Sequence, residues 1–147
     1  MQRQFTYPAA VERDEAGYFL VTFPDLPEAG TDGETLEEAL TEAGDCLAET
    51  IAGRITRQED VPEASRKRKN QHIVTLPAYM AAKAALYLTM KEQELSPGVL
   101  ANLLNCNEKE VRRLLDPKHA AGLQQIEAAL AAIGQTLIVG VQALAAG

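Results

Sequence analysis

The sequence predicts an α+β protein in which a small β-sheet and one covering helix precede an all-helical region. Apolar and polar residues alternate near the start, which is the period of half-buried strands. From about Thr35 the apolar residues instead follow the helical period, and further helical patterns come after Pro77. The chain of 147 residues is therefore predicted to contain two domains, 1–76 and 77–147, each long enough to bury a small core.

The first two strands form a predicted hairpin. Residues 5–11 alternate, residues 14–17 are turn formers, and residues 18–23 are rich in aromatic and β-branched side chains. A short third strand is expected within residues 28–32. Residues 72–76 predict a further strand that returns to the edge of the sheet.

A single amphipathic helix is predicted from residue 35 to residue 57. Thr35 and Glu38 have the spacing of a capping box, in which each side chain satisfies a free backbone donor at the helix start. Apolar residues then recur at helical spacing, while most carboxylates lie off the apolar stripe. This helix is expected to cover one face of the sheet, because a sheet buries its apolar face against another layer.

Four helices are predicted in the second domain, the first of them within residues 78–94. Ser96 can cap the next helix with Pro97 at its first position, and Asn107 can cap the one after it. Residues 123–133 form the last predicted helix, which Gly134 ends. Residues 136–141 are apolar and β-branched, which predicts a final strand.

Residues 97–115 have the pattern of a helix-turn-helix. Ala101 is small enough for two helices to approach closely, and Asn105 can adopt the left-handed conformation that a tight turn needs. In such a motif the start of the second helix enters the major groove, so Lys109 and Arg112 are placed to reach base edges. The predicted DNA-contacting residues are Ser96, Asn107, Lys109, Arg112, Arg113, Lys118 and His119.

The pattern is only moderately specific, because a helical bundle with a charged surface produces the same sequence features. One module of this kind reads a few base pairs, so DNA recognition would require a homodimer or a homotetramer on a palindromic site.

Charge divides the chain in the same place as the secondary structure. Residues 1–64 contain 15 acidic and 4 basic residues, a net charge of −11, whereas residues 65–147 contain 6 acidic and 10 basic residues, a net charge of +4. This difference indicates a basic partner for the first part and a polyanion for the second. The tetrad Arg66-Lys67-Arg68-Lys69 is either part of a binding surface or a solvated loop.

Several function classes are not supported. Cys46 and Cys106 are 60 positions apart and the chain has 2 histidines, which predicts reduced thiols and no metal site. No apolar stretch has the length of a membrane span or the composition of a signal peptide, so a cytoplasmic protein is expected. No nucleophile–base pair or phosphate-binding glycine loop is present, so we expect neither catalytic residues nor a cofactor.

The residues as a whole resemble the HicB family of antitoxins. The resemblance begins with residues 14–35 (DEAGYFLVTFPDLPEAGTDGET), continues with Glu38-Ala39, and includes residues 74–77 (VTLP) and 82–87 (AKAALY). The last two segments are similar to the helix-turn-helix subgroup, although Asn105 stands where the turn usually has glycine. The resemblance implies a partial, non-catalytic ribonuclease-H-like first domain and a partner toxin of the HicA type, which is small, basic and cleaves RNA.

By the same resemblance, the first domain masks the toxin and the second represses the shared operon. The acidic residues expected to face the toxin are Asp14, Glu15, Asp25, Glu28 and Asp32. Two alternatives stay open: a stand-alone transcription regulator whose acidic domain binds another protein or a small ligand, and a metal-dependent nuclease. The nuclease is disfavoured because its candidate carboxylates lie beside turn residues, where aspartate is common for backbone reasons.

Overall fold

The computed structural model describes residues 2–144. The first part of the chain contains three strands, a long helix and a fourth strand: β1 (Thr6–Arg13), β2 (Phe19–Phe23), β3 (Leu26–Gly33), α1 (Leu36–Thr56) and β4 (Gln71–Thr75). Helices follow: α2 (Ala78–Glu92), α3 (Pro97–Leu104), α4 (Glu108–Leu115) and α5 (Leu123–Ala132). The predicted α+β class is confirmed, and so is the order of its elements as far as the last helix.

The strands form one antiparallel sheet in the order β3-β2-β1-β4. The β1–β2 turn is closed by a backbone hydrogen bond of 2.8 Å from Asp14 N to Tyr18 O. The predicted return of the fourth strand is confirmed, since Tyr7 of β1 lies opposite Val74 of β4. Gly33 ends β3 where α1 passes closest, because a Cβ atom there would lie 2.5 Å from the backbone nitrogen of Ala39.

Helix α1 covers one face of this sheet. Thr35 caps it as predicted, its side-chain oxygen accepting a 3.1 Å hydrogen bond from Glu38 N. The other half of the predicted capping box, a bond from Thr35 N to the Glu38 carboxylate, is not found among the described residues. Tyr7, Leu47 and Ile51 are among the largest fully buried side chains of the core between helix and sheet. Full burial of an aliphatic side chain of this size contributes about 1.5–3 kcal/mol.

Helix α2 belongs to two cores. Met80, Ala84 and Leu88 pack into the core of α1 and the sheet. Ala82, Leu86 and Met90 pack instead into a second core, which α3, α4 and α5 complete with Leu100, Val111, Ile126 and Leu130. The division of the chain between residues 76 and 77 stays a prediction, because α2 lies just beyond it and contacts both sides.

The expected final strand at residues 136–141 is wrong. Within the described residues no strand follows α5, and Ile138, Val139 and Val141 are 58%, 80% and 99% exposed. The β-branched composition of this segment favours an extended backbone only as a local preference. A strand also needs a neighbour to accept its hydrogen bonds, however, and this segment has none within the described chain.

Candidate nucleic-acid interface and acidic surface

Local residues determine where α3 begins and ends and where α4 begins. The Ser96 hydroxyl accepts a 3.2 Å hydrogen bond from Val99 N at the start of α3, and Asn105 ends that helix with φ 54° and ψ 43°. The Asn107 side chain accepts a 2.9 Å bond from Glu110 N at the start of α4. These three predicted local conformations are confirmed, and they leave a turn of residues 105–107 between the helices.

The inner faces of the pair meet as the sequence predicted. Leu100 and Val111 are completely buried, Ala101 is 4% exposed, and Leu104 and Cys106 are partly buried against the same core. Burial raises the pKa of the Cys106 thiol. Both cysteines are free thiols, as expected.

The exposed positions of α4 carry three basic residues and the two carboxylates of Glu108 and Glu110. Lys109, Arg112 and Arg113 are the basic residues, and Arg112 forms an ion pair with Glu108 one turn earlier. Lys118 and His119 are exposed in the turn that follows α4, where Asp116 Oδ1 accepts a 2.9 Å bond from Lys118 N. The structure therefore brings these five predicted residues to α4 and its C-terminal turn.

Ser96 and Asn107 lie at the N-termini of α3 and α4. Their side-chain oxygens already accept backbone hydrogen bonds within the protein. Each can present the helix start to a phosphate, because free N–H groups and the helix dipole favour an anion there. Their role in DNA contact stays a prediction.

Sequence reasoning missed Lys83, which lies behind α4. This side chain is 3% exposed, and its ammonium donates hydrogen bonds of 2.8 Å to Leu114 O and 3.4 Å to Arg113 O. Burial lowers the pKa of Lys83, and the nearby Asp116 carboxylate opposes that change. A signal was available, because Lys83 is the only charged residue between Ala78 and Met90.

Three of the five acidic candidates lie at one end of the sheet. Asp14 and Glu15 are exposed in the β1–β2 turn, where Asp14 Oδ1 accepts a 2.9 Å bond from Tyr18 N. Asp32 is exposed on β3 opposite Leu20, close to the same end in register. These carboxylates are accessible to a partner.

The other two candidates have partners in distant parts of the chain. Asp25 Oδ2 accepts bonds of 2.9 Å from Ser65 N and 3.1 Å from Ser65 Oγ. Glu28 receives a bidentate contact from Arg54 of α1, at 2.6 Å from Nε and 2.9 Å from Nη2. This contact, more than any other effect, lowers the pKa of Glu28 to about 2. Both carboxylates connect the β2–β3 region to later parts of the chain.

Neither a metal cluster nor a spanning helix is found in the part of the chain that the structure describes. Among residues 2–144, no three His, Cys, Asp or Glu side chains are grouped so that they could hold a metal ion. In the same range, no helix is both long enough and apolar enough to cross a membrane.

Most of the chain is similar to known proteins of one family. Residues 6–85 match the family described as HicB-like antitoxin of bacterial toxin-antitoxin systems. A curated antitoxin HicB 2 of Photorhabdus laumondii is 36% identical over 93% of this chain and 96% of its own length. An antitoxin HicB of Escherichia coli is 29% identical over 89% of this chain and 95% of its own length.

The crystal structure of the Burkholderia pseudomallei antitoxin HicB aligns with a TM-score of 0.44 and 18% identity, covering 69% of this chain and 94% of that one. The family match spans more than half of the chain, and the Photorhabdus relative matches nearly all of it. The chain therefore belongs to the HicB-like antitoxin family of bacterial toxin-antitoxin systems.

Proposed function

We propose that this antitoxin neutralises a small, basic, RNA-cleaving toxin of the HicA type with residues 1–76 and represses its own operon by sequence-specific DNA binding through residues 77–147. The observation that carries the DNA-binding half is the capped helix pair α3–α4 with Lys109, Arg112 and Arg113 exposed on its second helix. The division of charge along the chain carries the toxin-binding half. Both processes take place in the cytoplasm under this proposal, and neither requires the antitoxin to catalyse a reaction.

For DNA recognition, α4 supplies the reading element. The Asn107 side chain caps its first turn, and Lys109 and Arg112 are exposed on the helix that follows. Arginine and lysine at such positions bind guanine through its major-groove acceptors. The Glu108–Arg112 pair is exposed on both side chains, and exposed i,i+4 pairs contribute about 0.3–0.5 kcal/mol. Arg112 can therefore exchange Glu108 for a base at little cost.

The phosphate contacts are assigned to the residues around that helix. Arg113, Lys118 and His119 follow the reading positions, and Ser96 presents the N-terminus of α3. Such contacts fix the register of a protein on the duplex without carrying sequence information.

For toxin recognition, the acidic candidates supply the complementary charge. Asp14, Glu15 and Asp32 are exposed and form the accessible part of the proposed surface. Complementary charge of this kind raises the association rate and selects among partners.

A second copy completes the DNA-binding unit, because one module reads too few base pairs alone. The segment from Leu137 to Leu144 contains no charged residue, and Ile138, Val139, Val141 and Leu144 are all more than half exposed. Contiguous exposed apolar surface of this kind commonly marks an interaction site. An uncharged segment suits a second copy of itself better than a basic toxin or DNA.

Co-expression tests the toxin-binding half. The small basic protein encoded beside this gene should arrest growth alone, and co-expression with the antitoxin should restore growth and give a stable complex. Reversing the charge of Glu15 and Asp32 together should weaken that complex, whereas the same reversal of Glu42 and Glu49 on α1 serves as the matched control. No such neighbour, or no rescue, would favour a stand-alone regulator.

A gel shift on the promoter of the chain's own operon tests the DNA-binding half. Lys109→Ala or Arg112→Ala should each weaken operator binding by about 1–3 kcal/mol if the side chain contacts a base. Lys91→Ala on α2 removes the same charge outside the proposed interface and should have little effect. Equal losses in all three variants would indicate a general charge effect instead of base recognition.

A further inference from the structure

The C-terminal end of α4 is held by a buried ammonium group. Lys83 of α2 donates to Leu114 O at 2.8 Å and to Arg113 O at 3.4 Å, and only 3% of the residue is exposed. A charge that deep is costly unless it is paired or fully hydrogen-bonded. The contacts of Lys83 between α2 and α4 must therefore offset the cost of burying its charge.

The partners of Lys83 are carbonyl groups at the end of α4. The last four carbonyl groups of a helix lack partners within the helix, and the helix dipole makes that end negative. Asp116 N bonds to Arg112 O and Arg113 O, so Lys83 reaches the next carbonyl, Leu114 O. The buried cation therefore supplies a donor to Leu114 O, which the Asp116 N–H does not reach, and lies at the negative end of the α4 dipole.

Helix α2, which carries Lys83, is held in place by two cores. Lys83 lies on α2 between Met80 and Ala84, which pack against α1 and the sheet, and Ala82 and Leu86, which pack in the helical core. Since two cores hold α2, it serves as the frame against which α4 is oriented.

Small movements of α4 would matter for recognition. Eight residues make a helix about 12 Å long, so a 1 Å shift at its C-terminal end rotates it by about 5°. A rotation of about 5° lies within the 10–20° that binding constellations tolerate, but a displacement of about 1 Å at that end of the helix exceeds their tolerance of about 0.5 Å. Contacts with base edges are sensitive to such a shift, while contacts with phosphate through flexible side chains are less so.

We propose that Lys83 is a positioning residue for DNA recognition: its ammonium fixes the C-terminal end of α4 against α2 and so sets the angle at which Lys109 and Arg112 meet the major groove. The proposal rests on the proposed DNA-binding function. Lys83 acts from behind the helix, because its burial keeps it away from DNA. Its effect therefore falls on sequence discrimination more than on charge-driven affinity.

Lys83→Met tests this role, with Lys91→Met as the matched control on the same helix. Methionine keeps an unbranched side chain of similar length and removes the charge and the donors. Binding to the operator and to a scrambled duplex of equal length is measured for both variants and the wild type, at several salt concentrations and well below the unfolding temperature. Toxin neutralisation is measured alongside.

Lys83→Met should lose operator affinity by about tenfold or more, while its affinity for scrambled DNA and its neutralisation of toxin change less than about twofold. Lys91→Met should keep the wild-type ratio of the two affinities. If Lys83→Met keeps the wild-type ratio of operator affinity to scrambled-DNA affinity, with or without an equal loss of both, the positioning role is overturned. If the wild type itself fails to discriminate its operator, the proposed DNA-binding function fails first, and this role with it.

A milder variant covers the case in which Lys83→Met does not fold. Lys83→Gln keeps an amide donor for one carbonyl and loses the charge, so it should fold and show an operator preference below that of the wild type. A wild-type preference in Lys83→Gln, together with a lowered unfolding temperature, would show that the contact serves stability alone.

Discussion

The ion pair between Glu28 and Arg54 should contribute to stability in a way that depends on pH. Arg54 of α1 holds Glu28 of β3 by two hydrogen bonds, at 2.6 and 2.9 Å, and also donates a 3.0 Å bond to Asp60 O. Glu28→Gln removes the charge and nearly preserves the shape. The variant should therefore unfold at lower urea concentration than the wild type at pH 7.

The magnitude follows from the protonation equilibrium of Glu28. Its pKa falls from 4.5 to about 2 in the folded state, mainly because of the hydrogen bonds from Arg54. Each pKa unit corresponds to about 1.4 kcal/mol. The Glu28 side chain is 41% exposed, however, and solvent screening reduces such contributions strongly. We therefore expect a difference in unfolding free energy of about 0.5–1.5 kcal/mol at pH 7.

The sign of the pH dependence is fixed by the direction of the shift. A carboxylate whose pKa is lowered by folding stabilises the protein above its unfolded-state pKa, and this contribution is lost as pH falls through the folded-state value. The difference between wild type and Glu28→Gln should therefore shrink between pH 5 and pH 2. Glu42→Gln on the exposed side of α1 is the control. A difference that stays constant with pH would refute an electrostatic origin.

Three further predictions concern single positions. Asn105→Ala should destabilise the protein by about 1 kcal/mol, because φ 54° suits asparagine and glycine better than alanine; Asn105→Gly should fold at least as stably, and thermal unfolding distinguishes them. Gly33→Ala should lower the unfolding temperature more than Gly44→Ala, because its Cβ would meet the Ala39 backbone while Gly44 has open space. Glu108→Gln should raise affinity for both operator and scrambled DNA by a few-fold, since it removes a charge that repels phosphate; a loss of affinity in gel shifts would contradict this.

The sequence predicted features that neighbouring residues determine. The Thr35 and Asn107 caps each satisfy a backbone donor three positions later, and Asn105 adopts its turn conformation locally. The contact of Lys83 with Leu114 joins residues 31 positions apart, and that of Arg54 with Glu28 joins residues 26 apart. Nothing local specifies such pairs, because they depend on how whole elements pack. The strand predicted after α5 was wrong for a related reason, because a strand forms only beside another strand that accepts its hydrogen bonds.

The same distinction limits what the acidic composition says about toxin binding. The charge of −11 over residues 1–64 counts Asp25 and Glu28 equally with Asp14 and Asp32. Asp25 is hydrogen-bonded to Ser65, and Glu28 is neutralised by Arg54, so a toxin would have to displace an internal partner to use either. Among the described residues, neither the Glu15 nor the Asp32 side chain has a hydrogen bond or ion pair that a toxin would have to displace, whereas Asp14 Oδ1 accepts a bond from Tyr18 N. Charge reversal at that end should therefore affect the association rate with the toxin, whereas substitution of Glu28 should act first on stability.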